Sequence, residues 1–433
     1  MAMAVRFGTD GIRGRALDDV STDVAYRLGR AVASVFAAPV FVGYDTRESS
    51  PILAAAVLAG LREGGAIGVN LGRFTTPGVA VIAQRRNGVG VVVSASHNPF
   101  YDNGLKVLGP GGTKLDQTTE EAVIRALDDA PSPAHADFDE TAIDASAERE
   151  YVAHLRALVP GDLSSLHIVL DCANGAASHV AHELFAATGA RLTMLHDQPN
   201  GRNINERCGS THVDDLVAAV SALGADLGLA FDGDADRLVA VDAHGHVRDG
   251  DDLMVLFSLD LRERGLLDAG LVVTTMSNLG LRLALAGHSV DVRETDVGDR
   301  NVLRTLESEQ WDFGGEQSGH LIFRNLAPTG DGLLTGLLVG DLVVRRGPLF
   351  EQADAAWQRV PQALVNVARE SYDDRFVREV FDELTARFAL ASDQVRLLVR
   401  PSGTEPVVRV MVEALDAGFV REFTQRLLTH FHD

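Results

Sequence analysis

Short apolar runs rich in β-branched residues alternate along this chain with longer segments rich in alanine and leucine. The runs at 41–45, 89–93 and 167–171 are predicted strands, and the segments at 51–63 and 119–130 are predicted helices. Strands that alternate with helices at this spacing form sheets covered by helices. The pattern therefore predicts an α/β fold built from layers.

The chain has 433 residues, which is too long for a single hydrophobic core. A polar, weakly patterned stretch at 131–147 is the clearest boundary. A second α/β unit follows from 167, and a third begins near Asp249, contains a strand at 271–275 and ends with a helix at about 332–344. From Val360 onward a strand, a helix at 373–388, a strand at 395–399 and a final helix are typical of a small α+β domain. We therefore predict three consecutive α/β domains of similar type and a small C-terminal α+β domain, with bounds at 1–147, 148–247, 248–360 and 361–433.

The charge balance limits the partners of this chain. Its 39 basic and 61 acidic side chains give a formal net charge of −22, and no basic face stands out, so neither nucleic acid nor an anionic membrane is an expected partner. An anionic substrate would need a local basic pocket. The apolar runs are too short to span a membrane, and the first residues lack a secretory layout. Cys172 and Cys208 are predicted to be reduced core thiols, and the expected location is the cytoplasm.

Ser96 follows a predicted buried strand and directly precedes His-Asn-Pro at 97–99. Pro99 prevents simple continuation of the strand, so the hydroxyl lies on a turn at a strand end. Loops at strand ends are where α/β proteins carry their chemistry. Alone this segment is typical of an ordinary turn, and it is the remaining motifs that favour a nucleophile.

Three carboxylates, those of Asp232, Asp234 and Asp236, alternate along the turn at 232–237. Close carboxylates repel one another unless a cation neutralises them, so this turn predicts a divalent metal site; the alternative is a solvated acidic turn. An EF-hand is excluded because Arg237 and Ala243 stand where that loop needs glycine and glutamate. Mg²⁺ is the predicted ion, because it serves phosphate chemistry while keeping open coordination positions.

A third motif at 400–406 predicts a phosphate-binding loop. Hydroxyls, main-chain amides around a glycine and guanidinium groups are what a phosphate dianion needs. No GxxxxGK[ST] sequence occurs, which disfavours a P-loop nucleotidase. The candidate phosphate ligands are Arg400, Ser402, Gly403, Thr404 and Arg409.

Two further glycine-rich segments, at 7–14 and 314–320, are ambiguous when each is taken alone. Together with the other three motifs they form a recognisable order of motifs along the chain. GTDGIRG at 8–14, SASHNP at 94–99, DGDADR at 232–237, GEQSGH at 315–320 and RPSGTEP at 400–406 follow one another as in the α-D-phosphohexomutases. The chain resembles this family over essentially its whole length. The segments at 101–106, 203–212, 297–300 and 329–332 resemble most the members that act on glucosamine phosphates.

The resemblance implies a role for each motif. Ser96 would be the phosphoserine, and Asp232, Asp234 and Asp236 would hold one Mg²⁺ per subunit, with a phosphoryl oxygen on Ser96 as a further ligand. Glu316 and Ser318 would contact the sugar hydroxyls. The phosphate that is not reacting would be held by Arg400, Ser402, Gly403 and Thr404, and the reacting end would be lined by Arg13, His97, Lys106 and Arg237.

The resemblance implies an intramolecular phosphotransferase that interconverts glucosamine 6-phosphate and glucosamine 1-phosphate, on the route to UDP-N-acetylglucosamine. Phospho-Ser96 would donate to the free hydroxyl, and a hexosamine 1,6-bisphosphate would form, turn end for end and return its other phosphate. One site must then accept two substrate poses, which predicts a central cleft between domains.

Alternatives remain open at this point. Glucose or mannose phosphates could serve the same mechanism, water could accept the phosphoryl group as in a phosphatase, or the chain could be a non-catalytic sugar-phosphate binding protein. Asp296 stands where relatives often carry lysine, so the general acid and base are unassigned, with His97 as one candidate. A homodimer is implied by the resemblance alone.

Overall fold

The structure is a computed structural model that describes residues 7–8, 11–135, 138–139, 141–267, 269–402 and 406–432. Its strands form four sheets, of six, five, four and three strands, in the order of the chain. No helix in the described ranges has the length and hydropathy of a membrane-spanning segment.

The first unit holds a six-stranded sheet in the order β1-β2-β6-β5-β3-β4. Its strands are β1 Phe7–Gly8, β2 Gly11–Arg15, β3 Val40–Tyr44, β4 Gly68–Arg73, β5 Val89–Val93 and β6 Asp102–Leu108. Its helices are α1 Thr22–Val35, α2 Ser50–Glu63, α3 Thr76–Arg85 and α4 Gln117–Asp129.

The second unit holds a five-stranded sheet in the order β11-β10-β9-β7-β8. Its strands are β7 His167–Asp171, β8 Arg191–Leu195, β9 Leu227–Phe231, β10 Leu238–Asp242 and β11 Val247–Arg248. Its helices are α5 Ser146–Leu158, α6 Ala177–Ala186 and α7 Asp214–Leu223, and a short 3-10 turn covers Gly209–Thr211.

The third unit holds a four-stranded sheet, and the fourth an antiparallel three-stranded sheet. The third has β12 Gly270–Thr274, β13 Asp291–Thr295, β14 Phe313–Gly315 and β15 Leu321–Phe323, with α8 Gly250–Glu263, α9 Leu279–Gly287, α10 Asp299–Glu309, α11 Gly332–Arg346 and α12 Leu349–Ala356. The fourth has β16 Gln362–Ala368, β17 Val395–Pro401 and β18 Val407–Ala414, with α13 Asp374–Arg387 and α14 Ala417–His432.

One topology recurs in the first three units. In each, a central strand (β3, β7 or β12) pairs in parallel with two neighbours, and one of these neighbours then forms an antiparallel hairpin. The three hairpins are β5–β6, β9–β10 and β14–β15. The loops of these hairpins carry residues 94–101, 232–237 and 316–320, so three of the sequence motifs occupy the same topological position.

The predicted fold class is confirmed, and the structure contains further strands and helices that were not predicted. Strand β18, which carries Arg409, and helix α12 were not predicted. Helix α11 follows the third sheet in sequence but packs against the second, since Gly336 approaches Phe185 and Leu229. One cluster of buried hydrophobic residues runs from α3 through the second sheet to β14. The four domain bounds remain a prediction. Cys172 and Cys208 are buried free thiols, as predicted.

Candidate active site

The hairpin loops of the first three units meet at one point. A side-chain carbon at Gly233 would lie 2.5 Å from the Ser96 carbonyl oxygen, so the first and second loops touch. Gly319 has φ +90°, and a side-chain carbon there would lie 2.0 Å from the Leu238 carbonyl oxygen. Only glycine permits both the left-handed backbone and this approach. The structure thus brings Ser96, the three aspartates and the 316–320 loop together.

Ser96 lies at the centre of this junction. Its backbone is left-handed at φ +51°, and the residue is 1 % exposed. Ser96 Oγ donates to Asp232 Oδ2 at 2.6 Å, which links the first hairpin loop to the second. Ser94, the other hydroxyl in this loop, instead donates to Asp45 Oδ2 at 2.6 Å and accepts the Ser96 N–H. Of the two serines, therefore, only Ser96 bonds to the carboxylate turn.

The Ser96 loop is held by Arg47, a residue that sequence reasoning missed. Its guanidinium has no exposed surface, pairs with Asp45 Oδ2 at 2.8 Å, and donates to the carbonyl oxygens of Ser96 and Asn98 at 2.9 Å each. Asn205 reaches the same two carbonyl oxygens from the second unit. These bonds fix the strained turn on which the hydroxyl lies. Their acceptors are backbone atoms far away in sequence, so no motif signals them.

We expect Arg47→Ala to lower the free energy of unfolding by about 3–5 kcal/mol, because it leaves the buried Asp45 carboxylate without its ion-pair partner. Chemical denaturation followed by circular dichroism measures this loss. Arg202→Ala is the matched control, since Arg202 is 68 % exposed where it pairs with Glu48, and it should cost less than about 1 kcal/mol. Equal losses in the two variants would contradict the role given to Arg47.

The three aspartates form a buried carboxylate turn at the end of β9. One oxygen from each lies within 4.8 Å of the others. Asp234 is held on both sides, because its Oδ2 accepts from Thr76 Oγ1 at 2.6 Å and from Lys106 Nζ at 2.9 Å. Burial, followed by the charges of Asp236 and Asp234, raises the pKa of Asp232 well above its ordinary value. The three carboxylates are close enough to repel one another, and their oxygen donors fit a hard divalent cation.

Two cationic side chains lie beside the carboxylate turn. Lys106 is buried on β6, and Arg237 follows the carboxylate turn with its Nε 3.7 Å from Asp236 Oδ1. Burial, followed by the charges of Arg237 and Arg13, lowers the pKa of His97 to about 4, so this ring is neutral near pH 7. Its Nδ1 lies 3.3 Å from Ser96 Oγ. The site therefore combines buried carboxylates with cationic side chains.

The third unit contributes a histidine that the sequence did not single out as a site residue. His320 lies between Asp236 and Asp299, with its ring nitrogens 3.7 and 3.8 Å from their oxygens. Burial opposes its charge, but the carboxylates of Asp236, Asp299 and Glu316 outweigh burial and raise its pKa to about 9. Across the same cleft, Lys114 pairs with Asp299 and Arg300 pairs with Glu120. These ion pairs join the first and third units beside the carboxylate turn.

The predicted sugar-contacting residues differ in exposure. Glu316 is buried, and its Oε1 accepts the Gly298 N–H at 2.8 Å, whereas Ser318 is exposed. Backbone bonds from Gly319 N to Glu316 O and from Glu316 N to His320 O close the loop. Asp296, the position at which the chain departs from the family pattern, is exposed, and it does not supply the positive charge that a lysine would supply there.

The phosphate motif lies in a fourth hairpin, between β17 and β18. Arg400 and Arg409 are directly opposed in the register of these strands, and Ser402 is buried, with its backbone N–H on the Val407 carbonyl. Two guanidinium groups side by side at the end of a hairpin offer the forked donors that match a phosphate dianion. Arg369, missed by sequence reasoning, donates to the Ser402 carbonyl. Gly403 and Thr404 lie outside the described residues.

Four parts of the chain match one family in order. Residues 4–133, 149–245 and 249–360 match phosphoglucomutase/phosphomannomutase alpha/beta/alpha domains I, II and III, and residues 358–429 match the C-terminal domain of the same family. The chain is 45% identical to the phosphoglucosamine mutase of Kineococcus radiotolerans over 98% of each chain. It is 43% identical to that of Mycolicibacterium paratuberculosis, over 98% of this chain and 97% of the relative.

Solved structures share the fold. A phosphoglucomutase/phosphomannomutase family protein from Burkholderia thailandensis superimposes with a TM-score of 0.81 at 24% identity, covering 99% of this chain and 98% of that one. Aspergillus fumigatus N-acetylphosphoglucosamine mutase, solved in complex with GlcNAc-6P and magnesium, superimposes with a TM-score of 0.67 at 19% identity, covering 99% of this chain and 95% of that one.

Proposed function

The chain belongs to the phosphoglucomutase/phosphomannomutase family of α-D-phosphohexomutases, and from this premise we propose that it interconverts glucosamine 6-phosphate and glucosamine 1-phosphate. This is the activity named for relatives that are 43–45% identical over nearly the whole chain. The observation that carries the proposal is the 2.6 Å bond between Ser96 Oγ and Asp232 Oδ2, which joins a nucleophile to a candidate metal site.

The reaction needs a hydroxyl that carries a phosphoryl group between two positions of one sugar. In the proposed cycle, the bond between phosphorus and Ser96 Oγ breaks while a bond to the free sugar hydroxyl forms, and the proton that this hydroxyl loses ends on Ser96 Oγ. The resulting 1,6-bisphosphate turns end for end, and its other phosphate returns to Ser96. Positioning and charge neutralisation supply most of the catalysis in such transfers.

In this proposal, Lys106, Arg237 and Arg13 balance the charge of the transferring group. Lys106 is buried beside Asp234, and Arg237 Nε lies 3.7 Å from Asp236 Oδ1. His97 is neutral, so its Nδ1 can hold a proton 3.3 Å from Ser96 Oγ. Together these groups replace the hydration that a phosphoryl group loses in a closed site.

The carboxylate turn is the proposed holder of Mg²⁺. Asp232, Asp234 and Asp236 would bind it through oxygen atoms, which fits their burial, their mutual distance and the raised pKa of Asp232. When bound, the ion would supply Lewis-acid stabilisation of phosphoryl oxygen. The Arg400 and Arg409 pair would hold the phosphate at the far end of the sugar, so that either end can face Ser96.

We expect kcat/KM for glucosamine 6-phosphate to exceed that for glucose 6-phosphate or mannose 6-phosphate by about tenfold or more. The buried Glu316 carboxylate provides the physical reason, because an ammonium group on the sugar can pair with it. Initial rates on the three substrates measure this preference, and Glu316→Gln should reduce the difference between their kcat/KM values. A clear preference for glucose or mannose phosphate in the unmodified enzyme would overturn the glucosamine assignment.

A further inference from the structure

Behind the carboxylate turn lies a second group of metal-ligating side chains: Asp171, His196 and Cys208. Asp171 ends β7, His196 follows β8, and Cys208 directly precedes the 3-10 turn at Gly209–Thr211. A carboxylate oxygen, an imidazole nitrogen and the sulfur lie within 4.8 Å of one another. Asp171 and Cys208 are fully buried, whereas the His196 side chain is 25% exposed. An ion could therefore reach the group from one side only.

We propose that this group binds a transition-metal ion, with Zn²⁺ as the best fit. Sulfur and imidazole nitrogen are the donors that Zn²⁺ prefers in proteins, and one carboxylate oxygen completes a common ligand set. Mg²⁺ takes oxygen ligands almost exclusively, so it suits the Asp232–Asp236 turn and not this group. The two sites therefore differ in the types of their donor atoms as well as in position.

The geometry of His196 supports the site. Its Nδ1 lies 3.1 Å from Asp171 Oδ2, yet this buried nitrogen makes no hydrogen bond in the described structure. The two atoms are close without pointing at each other, as metal ligands are around an ion. Its other nitrogen, Nε2, lies 3.2 Å from Asp215 Oδ2. A carboxylate on the far nitrogen is the usual partner of a metal-bound histidine, which it orients and makes more basic.

The sulfur and the carboxylate are both held in place. Asp171 accepts the backbone N–H groups of Ala173 and Gly209, at 2.9 and 3.0 Å. Cys208 is a buried free thiol, and Asn174 Nδ2 lies 3.9 Å from its Sγ. Binding of the ion would replace the thiol proton and leave a thiolate ligand.

The ion would stabilise a segment that contacts the Ser96 loop. His196 and Cys208 are the two ends of the stretch 196–208, and both lie beside Asp171 at the end of β7. Within this stretch, Gly201 accepts the Glu48 N–H, and Asn205 donates to the Ser96 carbonyl oxygen. A metal at its base would therefore stabilise the stretch that supports Ser96 from the second unit.

Cobalt titration of the full-length protein tests this site. Co²⁺ replaces Zn²⁺ in such ligand sets, and a bound thiolate gives it a near-ultraviolet charge-transfer absorption that oxygen ligands do not give. With excess Mg²⁺ present to fill the carboxylate turn, one equivalent of Co²⁺ should produce this band, and Zn²⁺ should remove it. Zn²⁺ should also raise the Tm.

Matched variants separate this site from its surroundings. Cys208→Ser and His196→Ala should lose the band, whereas Cys172→Ser, which changes the other buried thiol, should keep it. If Cys208→Ser fails to fold, Asp215→Asn provides the test, because it should weaken Co²⁺ affinity about tenfold. Asp214 is the neighbouring exposed residue, and Asp214→Asn should leave the Co²⁺ affinity unchanged. No band in the unmodified protein at saturating Co²⁺, or an equal band in folded Cys208→Ser, would overturn the proposal.

Discussion

Ser96→Ala should lower mutase turnover by about 10³-fold or more, because it removes the atom that carries the phosphoryl group between the two positions of the sugar. Among the residues that the structure describes, Ser96 supplies the hydroxyl that bonds to Asp232, at 2.6 Å where the hairpin loops meet. Added hexose 1,6-bisphosphate should not restore the rate, since the bisphosphate needs Ser96 as its acceptor. A coupled assay of glucosamine 1-phosphate formation measures the loss.

Ser94→Ala is the matched control, two residues away on the same loop. Ser94 Oγ supports the loop through Asp45 and the Ser96 N–H, so its loss should slow the enzyme far less. Binding of a hexose 1,6-bisphosphate, measured by calorimetry, should persist in Ser96→Ala, which separates loss of chemistry from loss of the site. Substantial turnover in Ser96→Ala, or an equal loss of turnover in both variants, would show that Ser96 is not the residue that carries the phosphoryl group.

Asp234→Asn should lower turnover by about 10²–10³-fold and weaken Mg²⁺ binding. The change removes one of the three charges that the proposed ion neutralises, and it leaves the buried Lys106 ammonium without its nearest carboxylate. Thr76 can still donate to the amide oxygen that replaces Asp234 Oδ2, so the fold should survive. Rates measured against Mg²⁺ concentration give both effects.

Asp226→Asn provides the comparison for this variant. Asp226 is exposed and immediately precedes β9, and its carboxylate accepts the His167 backbone N–H at 2.8 Å. The carboxylate turn follows the other end of the same strand. Its replacement should leave Mg²⁺ dependence unchanged. An unaltered Mg²⁺ dependence in Asp234→Asn would show that these carboxylates do not hold the metal.

The sequence predicted several of the buried strands, because a continuous apolar run is a local signal. The all-buried β5 and β9 are continuous apolar runs, and each motif follows its strand directly. The second strands of the hairpins were harder to predict. β18 carries alternating valines, but it begins within one residue of a glycine- and proline-rich motif that is typical of a loop.

The supports of the site could not be predicted, because they depend on contacts between distant segments. Arg47 holds backbone carbonyls some fifty positions away, and Asn205 holds the same atoms from another unit. Helix α11 has an apolar face that would suit either neighbouring sheet, and only packing decides that it covers the second. His320 was quoted within a motif, but its position between Asp236 and Asp299 depends on how the units meet.

The central claim is that Ser96 carries the phosphoryl group in the resting enzyme. Peptide mass spectrometry of protein purified gently, without phosphatase, tests this claim most directly. The predicted result is a phosphorylated fraction of the peptide that contains Ser96, with Ser94 unmodified and with activity proportional to that fraction. An unphosphorylated Ser96 in fully active enzyme, with no stimulation by a hexose 1,6-bisphosphate, would contradict it.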